Sequence, residues 1–167
     1  MLVCQTKRLI IRHCDNDDAE FILRLLNEPS FIENIADKGV RNIQDAIKYL
    51  QQGPITSYQQ FGFGMNIVEL KESGNAIGMC GLLKREELDD VDIGYAFLPE
   101  YTGQGFAKEA ALSVLQNALE QHQLSCVVAV TSMDNQSSIC LLEKIGFKFE
   151  KIIQFYGEDS KLFVIEF

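Results

Sequence analysis

The stretch from Asp92 to Lys108 limits the fold more than any other part of the chain: Asp92-Ile-Gly-Tyr-Ala-Phe-Leu-Pro-Glu-Tyr-Thr-Gly103-Gln-Gly105-Phe-Ala-Lys108. A strand runs into a turn carrying Gly103 and Gly105, and the turn opens a helix. Such a turn leaves several backbone N–H groups aimed at one spot, with the positive end of the helix dipole behind them. The result is an anion cradle. The glycines let an anion approach the backbone closely, and Ala107 keeps the first helical turn free of bulk. Two common phosphate cradles do not fit. A P-loop ends in Gly-Lys-Ser/Thr, whereas this turn continues Gly105-Phe-Ala-Lys-Glu109. A dinucleotide fingerprint needs a third glycine where Lys108 stands, and opens a first βαβ unit instead of following a run of strands. The choice among anions therefore depends on what surrounds the turn.

Upstream, Lys7 to His13 alternates as a strand, with Leu9 and Ile11 on one face. Asp15 to Asp18 supplies cap and first-turn acids for a helix bearing Phe21, Ile22, Leu25 and Leu26, and Pro29 predicts its end. Asn42 caps a second helix with Ile43, Ala46, Ile47 and Leu50 on one face, predicted to stop at Gly53-Pro54. Three strand-like runs follow, at residues 61–70, 76–84 and 91–98. Their connections are too short for a parallel crossover, so they predict an antiparallel meander. Beyond the turn, Ala107, Ala110, Ala111, Val114, Ala118 and Leu119 give the long helix a face of mostly small residues that can lie close on a sheet. Ser125 to Thr131 reads as a central strand covered on both sides. A helix from about Gln136 to Ile145, stopped by Gly146, and strands near residues 147–153 and 162–167 complete the pattern. The fold class is α/β with α+β character: a mixed sheet flanked by helices, in a single domain over residues 1–167.

Composition removes several classes of partner. Fifteen Lys plus Arg against 24 Asp plus Glu leave a formal charge of −9, which repels nucleic-acid phosphates and anionic membranes. The longest apolar run, Cys126 to Val130, is far below the roughly 18 residues of a membrane span. The start of the chain carries no secretory pattern, so a cytoplasmic protein is expected. Cys4, Cys14, Cys80, Cys126 and Cys140 form no C-x-x-C pair, so neither a disulfide framework nor a metal site is expected; Cys126 and Cys140 read as small buried hydrophobes.

Four signatures in order make the chain resemble the GNAT N-acetyltransferases, in the branch that includes the ribosomal-protein N-terminal acetyltransferases. The branch's opening T-x-R-L-x-L-R matches Thr6, Arg8 and Leu9 through Arg12, with Ile11 at the second leucine position; its strand signature E-I-G-Y matches Asp92-Ile93-Gly94-Tyr95. The family's Q/R-x-x-G-x-G/A aligns with Thr102-Gly-Gln-Gly105-Phe-Ala107, where Thr102 replaces the usual Gln or Arg. The last signature, N-x-x-S-x-x-x-x-E-K-x-G-F, is intact as Asn135, Ser138, Glu143, Lys144, Gly146 and Phe147.

The resemblance implies a twisted mixed sheet that splays after the strand ending near Leu98, admitting the pantetheine arm of acetyl-CoA as co-substrate. Backbone groups of Phe97 and Leu98 would pair with the arm. Gly103, Gln104, Gly105, Phe106, Ala107 and Lys108 would hold the pyrophosphate, with Lys144 a further cation. Asp92, one methylene shorter than the branch's Glu, would be the base for a primary amine. Ser138 would protonate the leaving thiolate, with Asn135 contacting the arm or ordering a water. The acceptor would be a small-molecule or peptide amine, with the negative field favouring a cationic one. An acyl-CoA-binding sensor or scaffold with weak turnover is the competing expectation, and monomer and homodimer both remain open. Tyr95 and Phe97 read as pocket wall, and His13 and His122 as structural residues.

Overall fold

Alternation in Leu9–His13 makes β2, whose Leu9 and Ile11 are fully buried. The computed structural model describes residues 1–167. Before β2, β1 (Leu2–Gln5) adds a strand that no alternation announces, paired antiparallel with β2. The acids after β2 form a capping box, the Asp15 carboxylate accepting from Asp17 N and the Asp18 carboxylate from Asp15 N. Helix α1 (Ala19–Leu26) buries Ile22, Leu25 and Leu26. Pro29 stands outside α1 as predicted, yet it also opens α2 (Pro29–Asn34), because a proline at the first helical position lacks only an N–H that would be unpaired there.

Helix α3 (Ile43–Leu50) starts where Asn42 accepts from the Asp45 amide. The predicted stop at Gly53-Pro54 does not occur. The chain widens into a π-helical turn, Gln51–Ile55, and continues as α4 (Thr56–Phe61) until Gly62 at φ 79°. Pro54 offers no amide, and Thr56 Oγ1 supplies a donor to Gln51 O at 2.7 Å. Phe61 thus ends a helix, and β3 begins at Met65.

Strands β3 (Met65–Leu70), β4 (Ala76–Leu83) and β5 (Asp92–Phe97) form the predicted antiparallel meander. Helix α5 (Phe106–His122) crosses the sheet on Ala110, Ala111 and Ala118, all fully buried. Leu119, predicted on that face, is 44% exposed, and Leu115 is buried instead. Then come β6 (Cys126–Ser132), α6 (Gln136–Lys144), β7 (Lys148–Phe155) and β8 (Glu158–Glu166). The eight strands order as β1-β2-β3-β4-β5-β6-β8-β7.

One face of the sheet packs against α5 and α6 through Ile93, Val114, Val127, Leu142 and Phe163. The other packs against α1 and α3 through Ile22, Leu25, Leu50, Ile67 and Met79. The break in the sheet is at its centre. Strands β5 and β6, the parallel pair, are registered only at Asp92↔Val128, with Val128 N donating to Val91 O at 2.9 Å. Beyond that point β5 pairs with β4 alone.

Candidate active site

The geometry of the break follows from the period of β5. Ile93, Tyr95 and Phe97 point to the α5/α6 face and Ala96 to the α1/α3 face, which places Asp92 and Gly94 with Ala96. A Cβ on Gly94 would meet Leu83 and Met65 on that second face. Backbone groups alternate in the other direction. Leu98 N donates to Ile77 O at 2.9 Å, so the amides of Ala96 and Gly94 also turn to β4, while those of Phe97, Tyr95 and Ile93 turn to the gap. Of the two residues predicted to offer open backbone, Phe97 does; the Leu98 amide is already committed.

Asp92 lies at the apex of the gap, 2% exposed. Its Oδ1 contacts Arg85 Nε at 3.3 Å as an ion pair and accepts no hydrogen bond. Burial pushes the carboxyl up to about 6, against the pull of Arg85. At that value the carboxyl is mostly ionised at neutral pH, and its Oδ1 has no hydrogen-bond donor.

The glycine turn is open. Gly103 (φ 74°) has nothing within 4 Å of the place a Cβ would take, and Gly105 (φ 82°) is the residue from which α5 departs. No side chain caps this N-terminus, so its amides face outward. The turn is held from the distant β1–β2 corner. Glu109, in the first turn of α5, accepts from Thr6 Oγ1 at 2.5 Å, Arg8 N at 2.9 Å and Arg8 Nε at 2.7 Å. Arg8 also donates to Gln104 O at 3.0 Å and lies 4.2 Å from the centre of the Phe106 ring. Burial alone would raise the Glu109 carboxyl, but the bonds from Thr6 and Arg8 hold it below the usual carboxylate range. The T-x-R opening therefore clamps the cradle, a role its spacing does not disclose. Gln104 bonds back to Glu100 O, and Lys108 is exposed beside the turn.

On the far side of the gap, Asn135 caps α6 by accepting from Ser138 N at 3.2 Å. Its side-chain oxygen is thus used locally, leaving the amide nitrogen for other partners. Ser138 meets Tyr95 Oη at 2.5 Å, a bond that closes across the break from β5 to α6. Burial raises the Tyr95 hydroxyl to about 12. Lys144, at the other end of α6, is exposed and eight residues from Gln136.

A cleft of about 260 Å³ lies between the sheet and the Tyr49–Phe61 segment, lined by Tyr49, Gln52, Gln60 and Phe61 with Leu83 and Met65 as part of its wall. Leu83 is registered opposite Asp92, so one wall residue of the cleft is the carboxyl's cross-strand neighbour, while Asp92 itself is buried behind the lining. Tyr58 is structural, with Cys14 N donating to its hydroxyl and the hydroxyl bonded to Met65 O. His13 stacks on Tyr58 with centroids 3.7 Å apart, and His122 packs edge-on to Phe63. All five cysteines are free; Cys140, predicted buried, is exposed because it falls on the solvent side of α6.

A mixed sheet split at its centre, with an open amide-lined helix start at one end of the split and a buried carboxylate at its apex, defines an acyl-CoA-dependent N-acyltransferase. The chain belongs to the GNAT family: residues 8–148 match the family's acetyltransferase (GNAT) domain. It is 28% identical over 156 residues to the uncharacterised N-acetyltransferase YoaA of Bacillus subtilis, covering 92% of this chain and 87% of that one. Two solved structures share the fold. The Salmonella typhimurium acetyltransferase that modifies the N-terminal serine of ribosomal protein L7/L12 superposes with a TM-score of 0.84 at 16% identity, covering 100% of this chain and 99% of that one. RimL, a ribosomal L7/L12 α-N-protein acetyltransferase, in complex with coenzyme A gives 0.86 at 16% identity over 99% and 98% of the two chains.

Proposed function

We propose that this acetyltransferase acts as a single domain in which Asp92 accepts the proton of a primary amine bound in the cleft under Tyr49 and Phe61, while acetyl-CoA lies in the break between β5 and β6. The single observation that carries the reading is the orphaned Asp92 Oδ1, a buried carboxylate oxygen with an ion-pair contact but no hydrogen bond, whose cross-strand neighbour Leu83 lines the cleft. Native interiors leave few such atoms without a purpose.

The residues present fit the co-substrate. Gly103 leaves room for a diphosphate against the amides of Gln104 to Lys108, and the Phe97 N–H and C=O face the gap to receive the amides of an extended arm. A thioester so held presents its carbonyl carbon near the β5–β6 apex. The amine enters from the other face, gives its proton to Asp92, and forms the N–C bond as the C–S bond breaks with its electron pair on sulfur. Arg85 keeps the carboxylate oriented and lowers the cost of its charge.

The acceptor is a peptide N-terminus or a small molecule. The cleft walls are mostly uncharged, and the one cation there, Lys84, is bonded to Leu88 O and Asp89 O. The acidic run Glu86, Glu87, Asp89 and Asp90 beside it supports a cationic approach to the cleft. The net charge of −9 supports a partner list without nucleic acid or membrane and fits a cytoplasmic monomer or homodimer. No helix is long and apolar enough to cross a membrane. The test is release of free CoA thiol from acetyl-CoA across an amine panel of N-terminal peptides, polyamines and amino sugars. Thiol release that rises with one amine and falls in Asp92→Asn is the expected result. Tight acetyl-CoA binding with no amine-dependent release selects the sensor instead.

A further inference from the structure

Three buried side-chain polar atoms lack a hydrogen-bond partner: Asn66 Oδ1, Asp92 Oδ1 and Thr131 Oγ1. Two of them flank the break. Thr131 is 5% exposed and shares a face of β6 with Val127 and Ala129, the face covered by α5 and α6. From the parallel register Asp92↔Val128, three residues along each strand bring Tyr95 level with Thr131. Both side chains therefore face the same side of the break, and Ser138 reaches Tyr95 from the α6 N-terminus. A Thr hydroxyl buried without a partner is destabilising, and hydroxyls facing one gap from three elements are not required by packing.

Resting on the acetyl-transfer reading above, we propose that Tyr95, Thr131 and Ser138 form the seat of the coenzyme A sulfur, with Tyr95 as a positioning residue that turns the Ser138 hydroxyl toward it. The Tyr95–Ser138 bond admits either hydroxyl as donor; in the proposed arrangement Tyr95 Oη donates to Ser138 Oγ, which directs the Ser138 hydrogen away from Tyr95 and into the gap. Thr131 donates from the opposite strand. When the C–S bond breaks, its electron pair stays on sulfur, which accepts the two hydroxyl hydrogen bonds. The thiolate is protonated by solvent as it departs, and the protonated Asp92 returns the amine's proton to solvent, so no proton is gained or lost over the cycle. Tyr95 keeps its own proton throughout, consistent with a hydroxyl that burial holds up at about 12.

The test compares binding of coenzyme A and desulfo-coenzyme A, which lacks the sulfur, to the wild-type chain, Thr131→Val, Tyr95→Phe, Ser138→Ala and Tyr95→Phe/Ser138→Ala, with kcat and KM for acetyl-CoA measured in parallel. Each lost hydroxyl contact is expected to weaken coenzyme A about five- to tenfold and to leave desulfo-coenzyme A within twofold. Tyr95→Phe is expected to lower kcat about tenfold with KM little changed, and to add nothing to Ser138→Ala, since it acts through that residue. Losses that multiply in the double variant, or equal weakening of both ligands, overturn the proposal. Should Tyr95→Phe not fold, Thr131→Val, which removes only a hydroxyl, decides alone by the same ratio. Failure of the wild type to bind either ligand defeats the parent reading instead, so the two failures are distinct.

Discussion

Replacing Asp92 by Asn separates what this carboxylate does from what it costs. Burial moves it from 3.8 to about 6. Because the folded value lies above the unfolded one, the folded state holds the proton more tightly, and that contribution to stability is complete below pH about 4 and lost as pH climbs through about 6. At pH 7.5 the ionised group, 2% exposed, therefore costs the fold up to about 3 kcal/mol relative to an unperturbed carboxyl. Asn keeps the shape and removes the charge, while Arg85, with 28% of its side chain exposed, keeps access to water. The variant is expected to gain about 1–3 kcal/mol at pH 7.5 and close to nothing at pH 4, or about 2–10 °C in Tm for a chain of this size. Activity runs the opposite way. With a carboxyl near 6, only about a tenth is ionised at pH 5, so wild-type kcat/KM should rise about tenfold from pH 5 to its plateau. Loss of a general base costs about 10²- to 10⁴-fold on that plateau and erases the inflection. Thermal melts at pH 4 and 7.5, with thiol-release kinetics from pH 5 to 9, measure both effects. A variant that melts below wild type at pH 7.5, or one that keeps the inflection near 6, refutes the reasoning.

Other outcomes follow from the same geometry. Arg8→Ala or Glu109→Gln loosens the clamp on the turn; since Arg8 is 41% exposed the stability loss is under about 1 kcal/mol, but KM for acetyl-CoA should rise about fivefold with kcat less affected. Gly105→Ala forces a side chain into φ 82° with its Cβ 3.3 Å from Arg8 Nη2, and should cost about 1–2 kcal/mol and weaken coenzyme A binding in calorimetry. Gly81→Ala is the harsher change, because its Cβ would lie 2.1 Å from the carbonyl oxygen of Gly64, just before β3; loss of more than about 3 kcal/mol and poor soluble yield are expected.

The local rules of the chain were readable because they depend on near neighbours. The Asn42 cap, the capping box from Asp15 to Asp18, the meander and the glycine turn each sit within a few residues of their cause. The clamp was not readable, since Arg8 and Glu109 are 101 residues apart and nothing in a single sequence pairs them. The Tyr95–Ser138 bond spans 43 residues and exists only because β6 stops pairing with β5, so a strand tyrosine looks like pocket wall until the break is seen. Pro54 misled for a different reason: a proline signals the end of an α-helix, and here the backbone widens by one residue and carries on. Leu119 was misplaced by a small drift of angle along a 17-residue helix, enough to carry one position of the stripe off the sheet.

On the proposed mechanism, the period of two along β5 lets the acid-base and leaving-group functions share one short segment. Asp92 and Tyr95 are three residues apart, an odd number, so the strand must send them to opposite faces. On the proposed mechanism the amine and its base occupy the α1/α3 side and the sulfur and its hydroxyls the α5/α6 side, with the thioester carbonyl between them where β5 and β6 part. Gly94, between them, lacks the Cβ because Leu83 and Met65 already pack where one would stand. A one-residue insertion between Asp92 and Tyr95 would put both groups on one face and, on the proposed mechanism, take the positioning hydroxyl away from the sulfur side. Such a chain is expected to bind acetyl-CoA through an unaltered turn and yet transfer nothing, an outcome that no loss of the Gly103–Lys108 cradle would imitate.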